Sequence, residues 1–230
     1  MKLAWTAAAL LALAACSQPA TETPAEPADP VAISAPSGAY TLDGNHTSVT
    51  VRALHFGLSH YTLRLNDVSG QLEFNAEEPA QSSVTVTVGT NSVDTDYDGN
   101  RDFNAELQNS DWLNAAEFPQ ATFQSTSIEL TGANTGRMSG DLTIAGVTHP
   151  ATFDVTFNHG FERHPMGAPH SLLGFSARGV IQRSQYGMTY LMASPGGFDG
   201  VSDEVELLIE AEFIRPIAEP AEAPAPDAAD

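Results

Sequence analysis

The residues predict an all-β domain of antiparallel strands. Segment after segment alternates apolar and polar residues with period two, as half-buried strands do. Glycines such as Gly70, Gly132, Gly136, Gly146 and Gly160 punctuate these runs. No strand–helix alternation marks a parallel sheet, so a barrel or a sandwich remains. Alternation cannot choose between the two. A sandwich fills its own core, whereas a barrel of about eight strands can be filled or can hold one small ligand.

In chain order, the first strand covers 38–43. Val49, Val51 and Ala53 then alternate with Ser48, Thr50 and Arg52, and segments 61–66 and 69–75 follow. Val84, Val86 and Val88 alternate with Ser83, Thr85 and Thr87. The helical exception lies at about 100–113, where Phe103 and Leu107 are four apart and Trp112 and Leu113 come just beyond. Asp98 or Asn100 is placed to cap it. Strands resume over 121–130, and Leu142 and Ile144 alternate with Asp141 and Thr143. Ala151, Phe153, Val155 and Phe157 alternate with Thr152, Asp154 and Thr156, and 172–182 follows. In the last strand Val205, Leu207, Ile209, Ala211 and Phe213 face away from Glu204, Glu206, Glu210 and Glu212, with Leu208 alone breaking the pattern.

The two ends are of another kind. Lys2 and the apolar run 4–15 read as a secretory signal, too short for a span of about 20 residues. Leu13-Ala14-Ala15-Cys16 resembles the bacterial lipobox, which implies removal of 1–15 and acylation of Cys16, the only cysteine. One acyl chain anchors a protein only marginally, and lipobox lipoproteins carry two or three. Ser17 stands where an Asp would retain the protein at the inner membrane, which permits transfer to the outer membrane of the cell envelope, facing the periplasm, with the inner membrane as the alternative. Residues 16–37 read as a flexible linker, with Pro19, Pro24, Pro27, Pro30 and Pro36 among Ala, Thr, Glu22, Glu26 and Asp29. An acidic Pro/Ala tail occupies 216–230, leaving one folded domain at 38–215.

The formal net charge is −20, and Lys2 is the only lysine. No basic stripe is available to neutralise phosphates, which excludes nucleic acid as a partner. Electrostatic docking on anionic lipid is excluded on the same ground, so membrane attachment falls to Cys16. With no cysteine pair, the domain is stable without a disulfide even in an oxidising compartment.

Seven short stretches, in order, carry a family signature: Tyr40-Thr41-Leu42-Asp43 with His46 and Ser48; His55-Phe56-Gly57-Leu58-Ser59 through Gly70; Ser92-Val93-Asp94-Thr95 with Arg101-Asp102; Ser110-Asp111-Trp112-Leu113 with 118–126; Gly140-Asp141-Leu142-Thr143-Ile144-Ala145-Gly146-Val147-Thr148-His149-Pro150; Arg183-Ser184-Gln185-Tyr186-Gly187-Met188; and Val201-Ser202-Asp203-Glu204-Val205. In these the chain resembles the YceI-like family of bacterial periplasmic lipid-binding proteins. The resemblance implies an extended, lipocalin-like antiparallel barrel of eight strands with a helical excursion, and an elongated apolar pocket for a polyisoprenoid or another long-chain amphiphile. It implies no enzyme activity and no cofactor. Gln185-Tyr186 departs from the family's usual Asp-Phe, and Leu65 and Val68 stand where aromatic residues are frequent.

The expected pocket lining is Val51, Phe74, Phe123, Phe153, Phe175, Tyr186 and Met188, each equally suited to plain core packing. His46, His55 and Arg183 are the candidates for a polar headgroup or the barrel mouth, with Arg178 a second cation. His46, His55 and His60 are not spaced as a metal set, so no metal is expected. Asp94-Thr95-Asp96-Tyr97-Asp98-Gly99 begins like a calcium loop, but Ala105 occupies its twelfth position, so a capped turn is the expectation. His149 is assigned to a turn, and His159, His164 and His170 to the surface around a Gly/Pro-rich connection. No nucleophile motif is present. The expected function is a lipid-anchored envelope protein that binds, sequesters or carries such an amphiphile, with envelope stress as the setting considered. The competing readings are an enzyme acting on a lipid or small electrophile in the same cavity, and a structural or adhesive β-domain with a filled core. A homodimer stays open.

Overall fold

In the computed structural model, which describes residues 33–192 and 200–217, antiparallel strands form one sheet that closes on itself. The strands are β1 (Gly38–Leu42), β2 (Ser48–His55), β3 (Ser59–Leu65), β4 (Val68–Phe74), β5 (Ser83–Gly89), β6 (Val93–Asp94), β7 (Gln120–Leu130), β8 (Thr135–Ile144), β9 (Val147–Phe161), β10 (His170–Gln182) and β11 (Val201–Pro216). The ring runs β1-β4-β5-β7-β8-β9-β10-β11 and returns to β1, which is the eight-stranded barrel expected.

β11 makes the closure work. It is 16 residues long, about 50 Å at the usual rise, enough for two partners along one edge. Phe213 and Ile214 pair with Leu42 and Thr41 to shut the ring, while residues 201–210 pair with β2. β2, β3 and the two-residue β6 thus extend the sheet beside the ring. β6 gave no readable alternation because two residues hold no period.

Two hairpins turn through two residues of positive φ, Phe56-Gly57 (50° and 69°) and Ala145-Gly146 (48° and 75°). That geometry matches the twist of antiparallel strands, and a glycine second takes it without strain. The second turn is so tight that β9 begins at Val147, so His149 lies in a strand opposite Leu142 rather than in a loop. Gly70, Gly136 and Gly160 also sit inside strands, where they punctuate nothing.

The helix is shorter than the apolar spacing suggested: α1 covers Phe103–Leu107 only, and turns carry the chain on to Phe118. Its cap is neither Asp98 nor Asn100 but Asp102, whose Oδ1 accepts from the Ala105 amide at 2.9 Å. The Asn109 side chain accepts from the Asp111 amide, the kind of local bond that competes with helix. Arg101 stacks over Phe103 and pairs with Glu106 at 3.3 Å. The calcium-like stretch is a turn, with Asp94 Oδ1 accepting from the Asp96 amide. Among the described residues no three His, Cys, Asp or Glu groups gather to hold a metal.

The domain starts earlier than the composition indicated. Residues 33–37, assigned to the flexible linker, are packed on the barrel. Ser34 Oγ donates to the Gly160 carbonyl at 2.7 Å, Ala35 is buried, and Tyr40 Oη donates to the Pro36 carbonyl. Ser37 accepts from the Ala76 amide and from Arg215. Short Ser and Ala side chains fit against the strands where composition alone reads as linker. The signal 1–15, Cys16 and the tail beyond Ile217 lie outside the described residues.

Candidate functional site

The barrel encloses a cavity of about 280 Å³. Every ring strand supplies lining residues, β1 through Leu42 and β11 through Leu207, Ile209, Ala211 and Phe213. Among the described residues that line it, Thr, Ser and Asn carry the only polar side-chain groups, and none is ionisable. Such a wall offers burial and shape and almost no hydrogen bonds, which suits a hydrocarbon chain.

Aromatic rings shape the interior. Phe123 and Phe153 meet edge to face at 5.2 Å, and Phe175 contacts Phe157 at 5.5 Å and Phe213 at 6.0 Å. Two glycines make room for the first pair. A Cβ on Gly140 would stand 2.5 Å from the Phe123 ring, and one on Gly179 would stand 2.7 Å from Phe153. Each ring therefore packs closely on the backbone of a neighbouring strand, Phe123 on β8 and Phe153 on β10.

Of the seven expected lining residues, Phe74, Phe123, Phe153 and Phe175 face the cavity. Val51, Tyr186 and Met188 do not line it; they pack in the same apolar cluster where the interior is filled, together with Ile181 and Val205. The competing expectation of a wholly filled core is therefore corrected: one part of the interior is solid and the other hollow. Sequence reasoning missed Val49, Leu65, Val68, Leu72, Val84 and Val86 as lining. Their signal was available, since each is the apolar member of a strand, but nothing local distinguishes a lining valine from a core valine.

The polar candidates are dispersed. Arg183 is 3 % exposed and does not line the cavity. Its Nε, Nη1 and Nη2 donate to the carbonyls of Ser202, Met188 and Val201 at 2.7–2.9 Å, and Trp112 lies 5.5 Å beneath the guanidinium. Burial pulls its pKa below the ordinary arginine value, with Asp203 opposing. It clamps the 3-10 turn of Arg183–Tyr186 to β11, so its expected role at a headgroup is corrected to a structural one. His46 is exposed and holds Asp43 at 2.9 Å. That hydrogen bond raises the His46 pKa and lowers that of Asp43. His55 is exposed and packs on Phe56 at the β2–β3 hairpin; neither histidine lines the cavity. Arg178 pairs with Glu206, whose pKa the Arg178 hydrogen bond lowers, and Arg52 joins the same carboxylate at 2.8 Å.

The two ends of the barrel differ. At one, the 183–191 turn closes over Trp112 and Leu113, with Tyr186 against His149 at 5.4 Å and Trp112 against Tyr190 at 5.4 Å. At the other, the β7–β8 turn and the segment around Pro79 surround the cavity, and Ile33 and Leu130 both line it and face solvent. The first end is a lid of side chains, the second a mouth.

Comparison with known proteins agrees with this geometry. The YceI-like domain matches residues 40–213. Protein YceI of Salmonella arizonae is 35% identical over 184 residues, covering 79% of this chain and 90% of that protein, and Protein YceI of Salmonella enteritidis PT4 matches equally. Among solved structures, the Campylobacter jejuni YCEI protein aligns with a TM-score of 0.57 at 26% identity, over 69% of this chain and 86% of its own. BcnA of Burkholderia cenocepacia gives 0.60 at 24% identity, over 74% and 98%. A polyisoprenoid binding domain from Saccharophagus degradans gives 0.56 at 13% identity, over 77% and 98%, a likeness of fold alone. A matched domain spanning nearly all of the folded chain, relatives above 30% identity and a shared closed barrel place this protein in one group: the chain belongs to the YceI-like family.

Proposed function

We propose that this protein holds a polyisoprenoid or another long-chain amphiphile in its barrel, sequestering or carrying it while acyl groups on Cys16 keep it at the envelope membrane. The observation that carries the reading is the cavity wall: an enclosed, apolar lining without an ionisable side chain. Transfer of hydrocarbon from water into such a wall is favourable by about 25 cal/mol per Å². The name of the Saccharophagus degradans neighbour, a polyisoprenoid binding domain, supports the same ligand class. Binding is favoured over turnover, because no acid, base or thiol lines the cavity among the described residues. A charged headgroup has no partner inside, so it stays at the mouth.

Extraction of the natively purified protein and mass spectrometry test this directly, alongside titration with NBD-tagged farnesol. A co-purifying long-chain lipid, or saturable uptake of the probe, is the expected result. A protein that carries no lipid and takes up no probe defeats the reading.

A further inference from the structure

Resting on that reading of the cavity, we propose that the open end of the barrel is a bilayer-docking surface, through which the ligand's chain passes between membrane and cavity without crossing water. The rim is unusual in being both lining and surface. Leu130 is 53% exposed and Ile33 38% exposed, and each also lines the cavity. Met166, 87% exposed, stands in the β9–β10 turn at the same end of the barrel. The remaining lining residues there, Pro79, Ser82, Ala133 and Thr135 among them, are uncharged, so contact with lipid desolvates no ion at the lining.

Two further observations select a lipid surface as the occupant. The apolar rim is continuous with the cavity, so whatever covers it meets the bound chain, and a water-insoluble chain needs an apolar path at that point. The chain also enters the described fold at this end: Ser34 is bonded to Gly160 near the end of β9, and Ile33 sits on the rim. The segment that leads back to Cys16 therefore joins the barrel beside its mouth. The number of residues between Cys16 and Ile33 limits the mouth to within roughly 60 Å of any membrane that holds Cys16, at a maximal reach of about 3.3–3.6 Å per residue. The opposite end has an exposed apolar tip as well, Phe56 and Leu58 on the β2–β3 hairpin, but neither residue lines the cavity. It serves as an internal control.

The test uses the mature chain, residues 16–230, with Cys16→Ser, which removes the acyl anchor and leaves no apolar signal to bind vesicles. NBD-tagged farnesol is loaded in phosphatidylcholine vesicles, and the rate of its transfer to the protein is followed as vesicle concentration rises. Docking predicts a rate that climbs with vesicle concentration, because transfer occurs on collision. Leu130→Glu and Met166→Glu each lower that slope about tenfold, since a carboxylate replaces a side chain that enters the interface. Leu58→Glu leaves the slope unchanged. A rate independent of vesicle concentration overturns the proposal, as does a slope that Leu58→Glu lowers equally. Self-association abolished by Leu130→Glu also overturns it, by assigning the rim to a second copy. Equilibrium uptake in the same samples separates the two readings: absent uptake defeats the cavity's function, whereas uptake with a flat rate defeats only the docking.

Discussion

The closed end of the barrel and the open end are made from strands of the same pattern, yet one is solid and the other hollow. At the closed end, segments outside the strands fold inward: Tyr186 and Met188 from the turn after β10, and Leu113 from the stretch after α1. Arg183 fastens that turn with three bonds to carbonyls. Toward the open end the walls carry short branched or small residues, including Val84 and Ala211, and the cavity remains between them. Alternation supplies an inward apolar face in both regions. Whether that face meets another side chain depends on what reaches it from outside the strand pattern.

Substitutions at the two regions sharpen the contrast. The largest effect falls at the clamp. Arg183→Met removes the guanidinium donor from one buried and two partly buried carbonyls and is expected to lower stability by about 3 kcal/mol in urea unfolding. A loss below 1 kcal/mol would break the picture of a clamped lid.

Added bulk comes next and is expected to act oppositely in the two places. Val205→Trp overfills packed core and costs about 2–3 kcal/mol, whereas Val86→Trp projects into free space and costs less than about 1 kcal/mol. The same Val86→Trp change weakens uptake of NBD-tagged farnesol at least about tenfold, because it occupies the volume that hydrocarbon would fill. Equal destabilisation by both substitutions would contradict a half-hollow interior.

Gly179→Ala tests how the rings are held. The new methyl collides with Phe153, so the ring turns toward the axis, at a cost of about 1–2 kcal/mol and with a changed near-ultraviolet circular dichroism band. An unperturbed band would mean that the glycine does not set the ring's position.

The smallest effect lies outside both regions, at the exposed Asp43–His46 pair. The raised His46 pKa contributes stability that is present below the unfolded histidine value and is lost as pH rises through the folded one. The lowered Asp43 pKa contributes stability present above the unfolded value and lost as pH falls. The pair therefore helps most between about pH 4 and about pH 6.5, where both are charged. His46→Ala should remove a slight rise in melting temperature in that window; a profile identical to the parent's would show that the pair contributes nothing.

Much of the fold was legible in the residues. The long strands β9, β10 and β11 followed from their alternation, although their ends ran two to four residues further than the pattern in places, as in β9 from Val147 to Phe161. The site was legible only in its aromatic part. Phe74, Phe123, Phe153 and Phe175 combine size with an inward position, and they do line the cavity. Tyr186 and Met188 shared both traits and landed in packed core, because they lie in and after the turn Arg183–Tyr186 rather than on a wall strand. Arg183 looked like a headgroup ligand because a guanidinium suits anions; only its neighbours in space show that backbone carbonyls hold it.

By itself the amino-acid sequence determined that antiparallel strands would form, which side of each would turn inward, and that this side would be apolar. Those are properties of residues two apart, and a local pattern carries them. Tertiary structure decided that the sheet closes, through Leu42 and Thr41 against Phe213 and Ile214, and that one end is plugged while the other opens beside Ile33. A cavity is a distance across the barrel between residues far apart in the chain, and no spacing along the chain encodes it.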